Sequence, residues 1–351
     1  MPSTSRTLHR KWSKVLLAFY NVANWRYRVE RIKKCFAIDE EAPVKVFSQP
    51  PQGWLSNGAI TFDHYSTRYH PGLPTVLKNL TFEIGASEKI GIVGRTGAGK
   101  SSLALSLLRG LEASEGSIII DGTDIREVGL HDLRRAVVFV PQDPSLLAGN
   151  LRSNLDPFGK YTDARIFEVL RNVGLIEAGK ATGRNASDKE VQKTSTPKGT
   201  NENAFQNLNM VIEGSGANIS MGQRQLVCLA RALLRSAKVI VMDEATASID
   251  YATDIKIQRT IAKVDATVIT IAHRLQTILD HDKVLVMDKG QIAALGSPWE
   301  LLQKEGPFRE LCRNHGDLAK LERIARAAFT EKTKRDSVKA CGPTGEDCGS
   351  E

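Results

Sequence analysis

The sequence predicts an α/β fold built on a parallel sheet, and three features carry that expectation. Strand-like runs rich in β-branched residues, such as residues 239–242 and 267–271, lack polar alternation, as strands buried on both faces do. Helical stretches separate these runs, the order that covers a parallel sheet with helices. A glycine-rich turn at residues 94–101 joins one such strand to a helix.

The 351 residues suffice for one or two domains at about 150 residues each. Hydrophobic residues make up 41% and charged ones 25%, so a full core needs no disulfide or metal staple. Five scattered cysteines (Cys35, Cys228, Cys312, Cys341, Cys348) lack the paired spacing of a zinc site and read as reduced thiols. The net charge is +8, and residues 1–40 alone supply +6 from nine Lys/Arg against three Asp/Glu. The remainder is nearly neutral, which argues against a nucleic-acid partner.

Residues 1–50 read as a basic helix followed by a linker. Trp12, Leu16, Phe19 and Ala23 share one helical face, while Lys11, Lys14 and Arg26 lie off it. A second basic stretch, Arg26 to Lys34, precedes Asp39-Glu40-Glu41-Ala42-Pro43, where a helix must stop. Trp12, Phe19 and Trp25 interleaved with cations make residues 1–40 a candidate for contact with a membrane surface. No segment is predicted to span a bilayer, because the longest apolar run is six residues, Val15 to Tyr20, against the roughly 20 required.

The main domain is expected over residues 57–315. Strands are predicted at 89–93, 117–120, 136–140, 238–242, 267–271 and 283–287. Helices are predicted at 99–109, 163–172, 222–235, 251–262 and 297–305, the last opened by the capping box Ser297-Pro298-Trp299-Glu300. Residues 180–204 hold three Ala and one Val among polar residues, too few to offset their ordering entropy, so a disordered insertion is expected there. Residues 316–351 are expected to form one helix, over 318–329, and a polar tail.

Gly94-Arg95-Thr96-Gly97-Ala98-Gly99-Lys100-Ser101 fits the phosphate-loop pattern G-x-x-x-x-G-K-[ST] between a strand and a helix. Glycines let such a loop curl until its N–H groups face a phosphate, and the helix N-terminus adds partial positive charge. Lys100 is expected to bridge the β- and γ-phosphates, Ser101 to ligate Mg²⁺, and Ser102 to complete the cradle. Val239-Ile240-Val241-Met242-Asp243-Glu244 sends two carboxylates out of the core at a strand end. Asp243 suits the Mg²⁺ shell, and Glu244 suits orienting or deprotonating an attacking water.

Residues 217–225 (Ala217-Asn218-Ile219-Ser220-Met221-Gly222-Gln223-Arg224-Gln225) resemble the signature of the ATP-binding cassette (ABC) family, usually Leu-Ser-Gly-Gly-Gln. Ser220 lies 23 residues before Asp243, a spacing typical of that family. The resemblance implies a P-loop NTPase of the ABC nucleotide-binding type: a RecA-like parallel sheet with antiparallel β and α-helical subdomains. It further implies a head-to-tail dimer, in which Ser220, Gly222 and Gln223 of one cassette cap the ATP held by another. Pro141-Gln142-Asp143 resembles the Q-loop, which gives Gln142 a place beside Mg²⁺ and the attacking water. Ala247-Ser248-Ile249-Asp250 resembles the D-loop, and Ile271-Ala272-His273-Arg274 the switch loop, which brings His273 to the γ-phosphate. Tyr69 resembles the aromatic that stacks on adenine.

Residues 129–134 (Gly-Leu-His-Asp-Leu-Arg), 154–158 (Asn-Leu-Asp-Pro-Phe) and 250–254 (Asp-Tyr-Ala-Thr-Asp) are similar to the C subfamily, the multidrug-resistance-associated and bile-pigment transporters, in their second cassette. Val29-Glu30-Arg31-Ile32 and Glu41-Ala42-Pro43 are similar to the segment joining membrane helices to that cassette. The resemblance therefore implies MgATP hydrolysis at the cytosolic face of a vacuolar or plasma membrane, powering export or sequestration of organic anions or conjugates. Its membrane-spanning domains would lie on another chain or be missing from this fragment. Two other readings remain: a non-transporting fragment that binds ATP without efficient turnover, and a soluble ABC ATPase. Ile219 and Met221 depart from the usual signature residues.

Overall fold

The structure is a computed structural model that describes residues 3–36, 41, 54–176, 201–245, 249–272, 274–315 and 318–340. The chain divides into two compact units, Met1–Pro43 and Val44–Glu351. The first contains α1 (Ser3–Phe36), which ends ahead of the expected acidic-proline stop. The side chains of Trp12, Leu16, Phe19 and Ala23 lie outside the described residues.

The second unit begins with β1 (Ile60–Thr67), β2 (Leu77–Ile84), β3 (Lys89–Gly94), α2 (Lys100–Leu107), β4 (Ala113–Ile120), β5 (Thr123–Asp124) and α3 (Leu130–Ala136). It continues through β6 (Val137–Val140), β7 (Gly149–Asn150), α4 (Leu151–Leu155), α5 (Asp163–Asn172), β8 (Val211–Ile212), α6 (Met221–Leu234) and β9 (Val239–Asp243). The remaining elements are α7 (Tyr251–Lys263), β10 (Thr267–Ile271), β11 (Lys283–Asp288), β12 (Gln291–Gly296), α8 (Pro298–Gln303), α9 (Pro307–His315) and α10 (Leu318–Ala340).

Six strands form the main sheet in the order β12-β11-β3-β10-β9-β6. All neighbours pair in parallel except β12, which is antiparallel on the β11 edge. Every residue of β10 is buried, as are four of the five in β9, so the unalternated apolar runs reflect burial on both faces. The observed strand and helix ends differ from the expected ones by a few residues, the usual spread at frayed termini.

A second sheet, β2-β1-β4-β5, is antiparallel, and of its strands only β4 has a pattern that predicts it. In β1 the pairing shifts between Phe62 and Tyr65, and His64 takes φ +46°, so a bulge breaks the two-residue period. Packing overrides the weak pattern: Phe62 stacks on Phe82 at 4.5 Å and meets Tyr65 edge-on at 5.8 Å. One apolar cluster joins Phe62, Leu80 and Ile118 of this sheet to Ile90, Ile92 and Leu103 around the phosphate loop. Asp121 fixes the start of β1 by accepting N–H bonds from Asn57, Gly58 and Ala59 at 2.8–2.9 Å.

A separate cluster packs α4, α5 and α6 against β6, β9 and α7, and forms the helical subdomain. The insertion expected through Ala204 ends earlier than that: residues 201–206 form a 3-10 turn because Phe205 is buried in this cluster. Residues 180–200 lie outside the described residues. The C-terminal helix also exceeds its expected end at Phe329 and reaches Ala340. Leu321 and Ala325 anchor it against α8, α9 and β11.

His281 is fully enclosed beneath this C-terminal layer, its Nε2 within 3.0 Å of the Thr270 hydroxyl. Burial pushes its pKa down from 6.5 to about 4; Lys332 and Lys89 add to the fall and Asp282 opposes it. The unfolded chain therefore takes up a proton that the folded chain refuses, and stability is lost as pH falls from about 6.5 to about 4. A His281→Gln variant should lose about 2 kcal/mol less stability than the parent between neutral pH and about pH 5. Urea midpoints measured across that range check this, and equal losses in both proteins would refute it.

Candidate functional site

The geometry of the site follows from strand ends. β3 runs straight into the glycine-rich loop, and α2 begins at Lys100 with Gly99 as its N-cap. Gly97 and Gly99 take φ values of +79° and +99°, a left-handed region that disfavours side chains, so glycine is required at both. The turn after β11 braces the loop from behind: the Gly290 N–H donates to Ala98 O at 3.0 Å, and the Lys78 N–H to Gly290 O at 2.8 Å.

Lys100 Nζ donates to the carbonyls of Gly94 at 2.9 Å and Arg95 at 3.1 Å, which holds the curl of the loop closed. Burial lowers its pKa, against the opposing pull of the Glu244 and Asp243 carboxylates. Those carboxylates are thus close enough to Lys100 to act on its charge. Ser101 and Ser102 follow in the first turn of α2, and the Ser102 hydroxyl lies 3.0 Å from the Tyr69 hydroxyl. Tyr69 is half exposed and stands over this turn, whereas Tyr65 is buried with its hydroxyl on Leu111 O. Thr96 lies in the exposed arc of the loop, and the Arg95 guanidinium pairs with Glu310 of α9 at 3.5 Å.

Asp243 ends β9, and Glu244 follows at φ +49°, an uncommon conformation for a residue with a side chain. Two bonds hold it there. Its N–H donates to Ile271 O at 3.0 Å, and its Oε2 accepts from Gln142 Nε2 at 2.7 Å. Residues far apart in the chain therefore meet at one sheet edge.

Ser220 caps α6 by a reciprocal pair of bonds. Its hydroxyl accepts from the Gln223 N–H at 3.2 Å, while its own N–H donates to Gln223 Oε1 at 2.9 Å. Gly222 lies in the first turn beside them. One turn further along, Gln225 Nε2 donates to Gln142 O at 3.3 Å. Asp250 caps α7 through the Thr253 N–H, and Arg274 Nη1 donates to Ile249 O at 3.1 Å. His273, Ala247 and Ser248 lie outside the described residues.

Sequence reasoning gave no role to Arg231. From α6 its guanidinium donates to Asn154 O at 2.5 Å, Asn154 Oδ1 at 2.8 Å and Ser145 O at 3.1 Å. Asn154, itself buried, bonds Leu147 and Asn150 in turn, so the segment after Gln142 is clamped to α6. The sequence carries no periodic signal for such a clamp.

Residues 77–247 match the family model described as ABC transporter. The chain carries an ABC transporter domain. It is 52% identical over 310 residues to "ABC transporter 7" of Pyricularia oryzae, a match that covers 87% of this chain and 18% of that protein. It is 45% identical over 313 residues to the "ATP-dependent bile acid permease" of Saccharomyces cerevisiae, covering 88% and 19%. Against the human "ATP-binding cassette sub-family C member 2" the identity is 48% over 290 residues, covering 82% and 17%. The chain thus spans less than a fifth of the length of these relatives. Among solved structures, a bacterial Atm1-family ABC exporter with ATP bound superposes with TM-score 0.68 at 26% identity, over 89% of this chain and 51% of that one. The ABC domain is therefore homologous to C-subfamily transporters, a family of ATPases. Among the described residues no helix is long and apolar enough to cross a membrane.

Replacing Arg231 with Met should remove its bonds to Asn154 O and Ser145 O and leave Asn154 Oδ1 with the Leu147 N–H alone. We expect a loss of about 2 kcal/mol or more in unfolding free energy, measured by urea denaturation. An unchanged midpoint would show that the clamp carries no load.

Proposed function

We propose that the ABC domain binds and hydrolyses MgATP as one half of a nucleotide-sandwiching pair, and that it powers transport as part of a larger C-subfamily transporter. The contact that carries this reading is the 2.7 Å bond from Gln142 to Glu244, formed beside Lys100 at the edge of the sheet. In this reading Gly94, Arg95, Thr96, Gly97 and Gly99 offer N–H groups to the phosphates, together with Lys100, Ser101 and Ser102, while the Ala98 N–H donates to Arg95 O at 3.1 Å and closes the turn. Tyr69, held over α2 through Ser102, would stack on the adenine in this reading.

Ser101, Gln142 and Asp243 would hold Mg²⁺. They supply hydroxyl, amide and carboxylate oxygens, a hard donor set suited to it, and the amide nitrogen of Gln142 is committed to Glu244. When bound, the ion neutralises charge on the β- and γ-phosphate oxygens. Glu244 takes the role of base, accepting a proton from water that Gln142 helps to orient. His273 is assigned to the γ-phosphate on the sequence motif alone.

Ser220, Gly222 and Gln223 belong to the partner's site in this reading. β3 and β6 are separated by β10 and β9, so the Lys100 loop and the side of the sheet bearing α6 lie about 14 Å apart from strand spacing alone. In this reading the Ser220 cap serves the triphosphate of a second molecule. The name of the yeast relative, a bile acid permease, supports organic anions as the transported solutes. In this reading the domain works at the cytosolic face of a membrane, with membrane-spanning domains on another chain or missing from this fragment.

Glu244→Gln should retain ATP affinity within about twofold while phosphate release falls about 100-fold or more. Retained turnover in that variant would remove Glu244 from the role of base. The rate per chain should also rise with protein concentration, since each site needs a second molecule. A rate per chain that stays constant on dilution would reject the paired site.

A further inference from the structure

Gly290 belongs to the turn between β11 and β12, yet both of its polar groups serve other parts of the chain. Asp288 pairs with Gln291 across the hairpin, so Lys289 and Gly290 alone make the reversal. Both take positive φ, +48° and +81°, as a type I′ turn requires. Closing such a turn uses neither the N–H nor the carbonyl of its second residue. The Gly290 N–H donates instead to Ala98 O in the phosphate loop at 3.0 Å, and its carbonyl accepts from the Lys78 N–H of β2 at 2.8 Å. One buried residue thus joins the main sheet, the phosphate loop and the outer edge of the second sheet.

The connection continues to the tyrosine over α2. Two residues before Lys78, the Val76 N–H donates to Thr67 O at 2.9 Å and closes the root of the loop over residues 68–75. That loop carries Tyr69, whose hydroxyl lies 3.0 Å from the Ser102 hydroxyl in the first turn of α2. Contacts therefore run from the phosphate loop through Gly290 and β2 to Tyr69, and return to the loop through Ser102. The approach at Gly290 is close enough that a Cβ there would overlap Val76 O.

We propose that Gly290 is a positioning residue, whose turn fixes the span between the Tyr69 ring and the phosphate loop so that the site favours a triphosphate carrying an aromatic base over one without it. The proposal rests on the nucleotide reading above and deepens it. A nucleotide touches both ends of that span at once, so the base adds affinity only where ring and loop are already held at the matching separation. A turn that served the hairpin alone would leave both Gly290 groups to water.

The test uses the full chain and compares MgATP with the magnesium complex of ribose 5-triphosphate, which keeps the sugar and three phosphates and lacks the base. Two variants cut the tie. Gly290→Ala does so through the overlap with Val76, and Lys78→Pro by removing one N–H from an edge strand, where proline is tolerated. In calorimetric titration each should weaken ATP about tenfold and change ribose 5-triphosphate by less than about twofold. The losses should not add: Lys78→Pro introduced beside Tyr69→Ala should weaken ATP no further than Tyr69→Ala alone. Equal weakening of both ligands, additive losses, or unchanged ATP binding in both variants would overturn the proposal. Should Gly290→Ala fail to fold, as circular dichroism would show, Lys78→Pro decides. A parent chain that binds ribose 5-triphosphate as tightly as ATP would end the proposal while leaving the phosphate site in place. A parent chain that binds neither would end the nucleotide reading as well.

Discussion

The register of the buried parallel ladder is the constraint on which the rest of the ABC domain depends. Ile92 of β3 pairs with Ile271 of β10, Ile271 pairs with Asp243 of β9, and Met242 pairs with Val140 of β6. Strands aligned in this way end together, so whatever follows each of them emerges at one edge. The phosphate loop follows β3, Glu244 follows β9 and Gln142 follows β6. A slip of one residue in any strand would reverse its side chains and carry a site residue out of reach. The unbroken apolar runs of β9 and β10 make such a slip costly, because both faces of each strand are packed.

Glu244 shows how that rigidity is used. A left-handed conformation at a non-glycine residue costs on the order of 1 kcal/mol or more and persists only when its surroundings over-determine it. Here the ladder supplies one restraint through Ile271 O, and Gln142 supplies another through the carboxylate. The second restraint belongs to a segment that α6 also grips, through Gln225 and Arg231. Motion of α6 would therefore be felt at the carboxylate through two consecutive polar contacts, Gln225 to Gln142 and Gln142 to Glu244.

The basic surplus of the chain has a location as well as a sign. Nine of its cations lie on α1, whereas the cations of the ABC domain are largely matched by acids, as in Lys238–Asp265 and Lys283–Glu88. Ion pairs at the surface add little stability. Their effect is to leave the domain near neutrality, so the unmatched charge of α1 stands out against it.

Local chemistry was written plainly in the sequence. The Gly94–Ser101 loop, α5 at its observed ends, β10 residue for residue and the Ser297 cap of α8 each follow from spacing or backbone preference within a few residues. The bulged β1 and the burial of Phe205 did not, because each depends on a surface supplied by distant parts of the chain. The same holds for the site. Sequence alone named Gln142 and Glu244, but only folding decides that they touch, that Arg231 clamps the segment between them and α6, and that Lys100 bonds its own loop. Backbone preference acts over a few residues, whereas the meeting of remote side chains is settled by which packing buries the most surface without leaving a polar group unpaired.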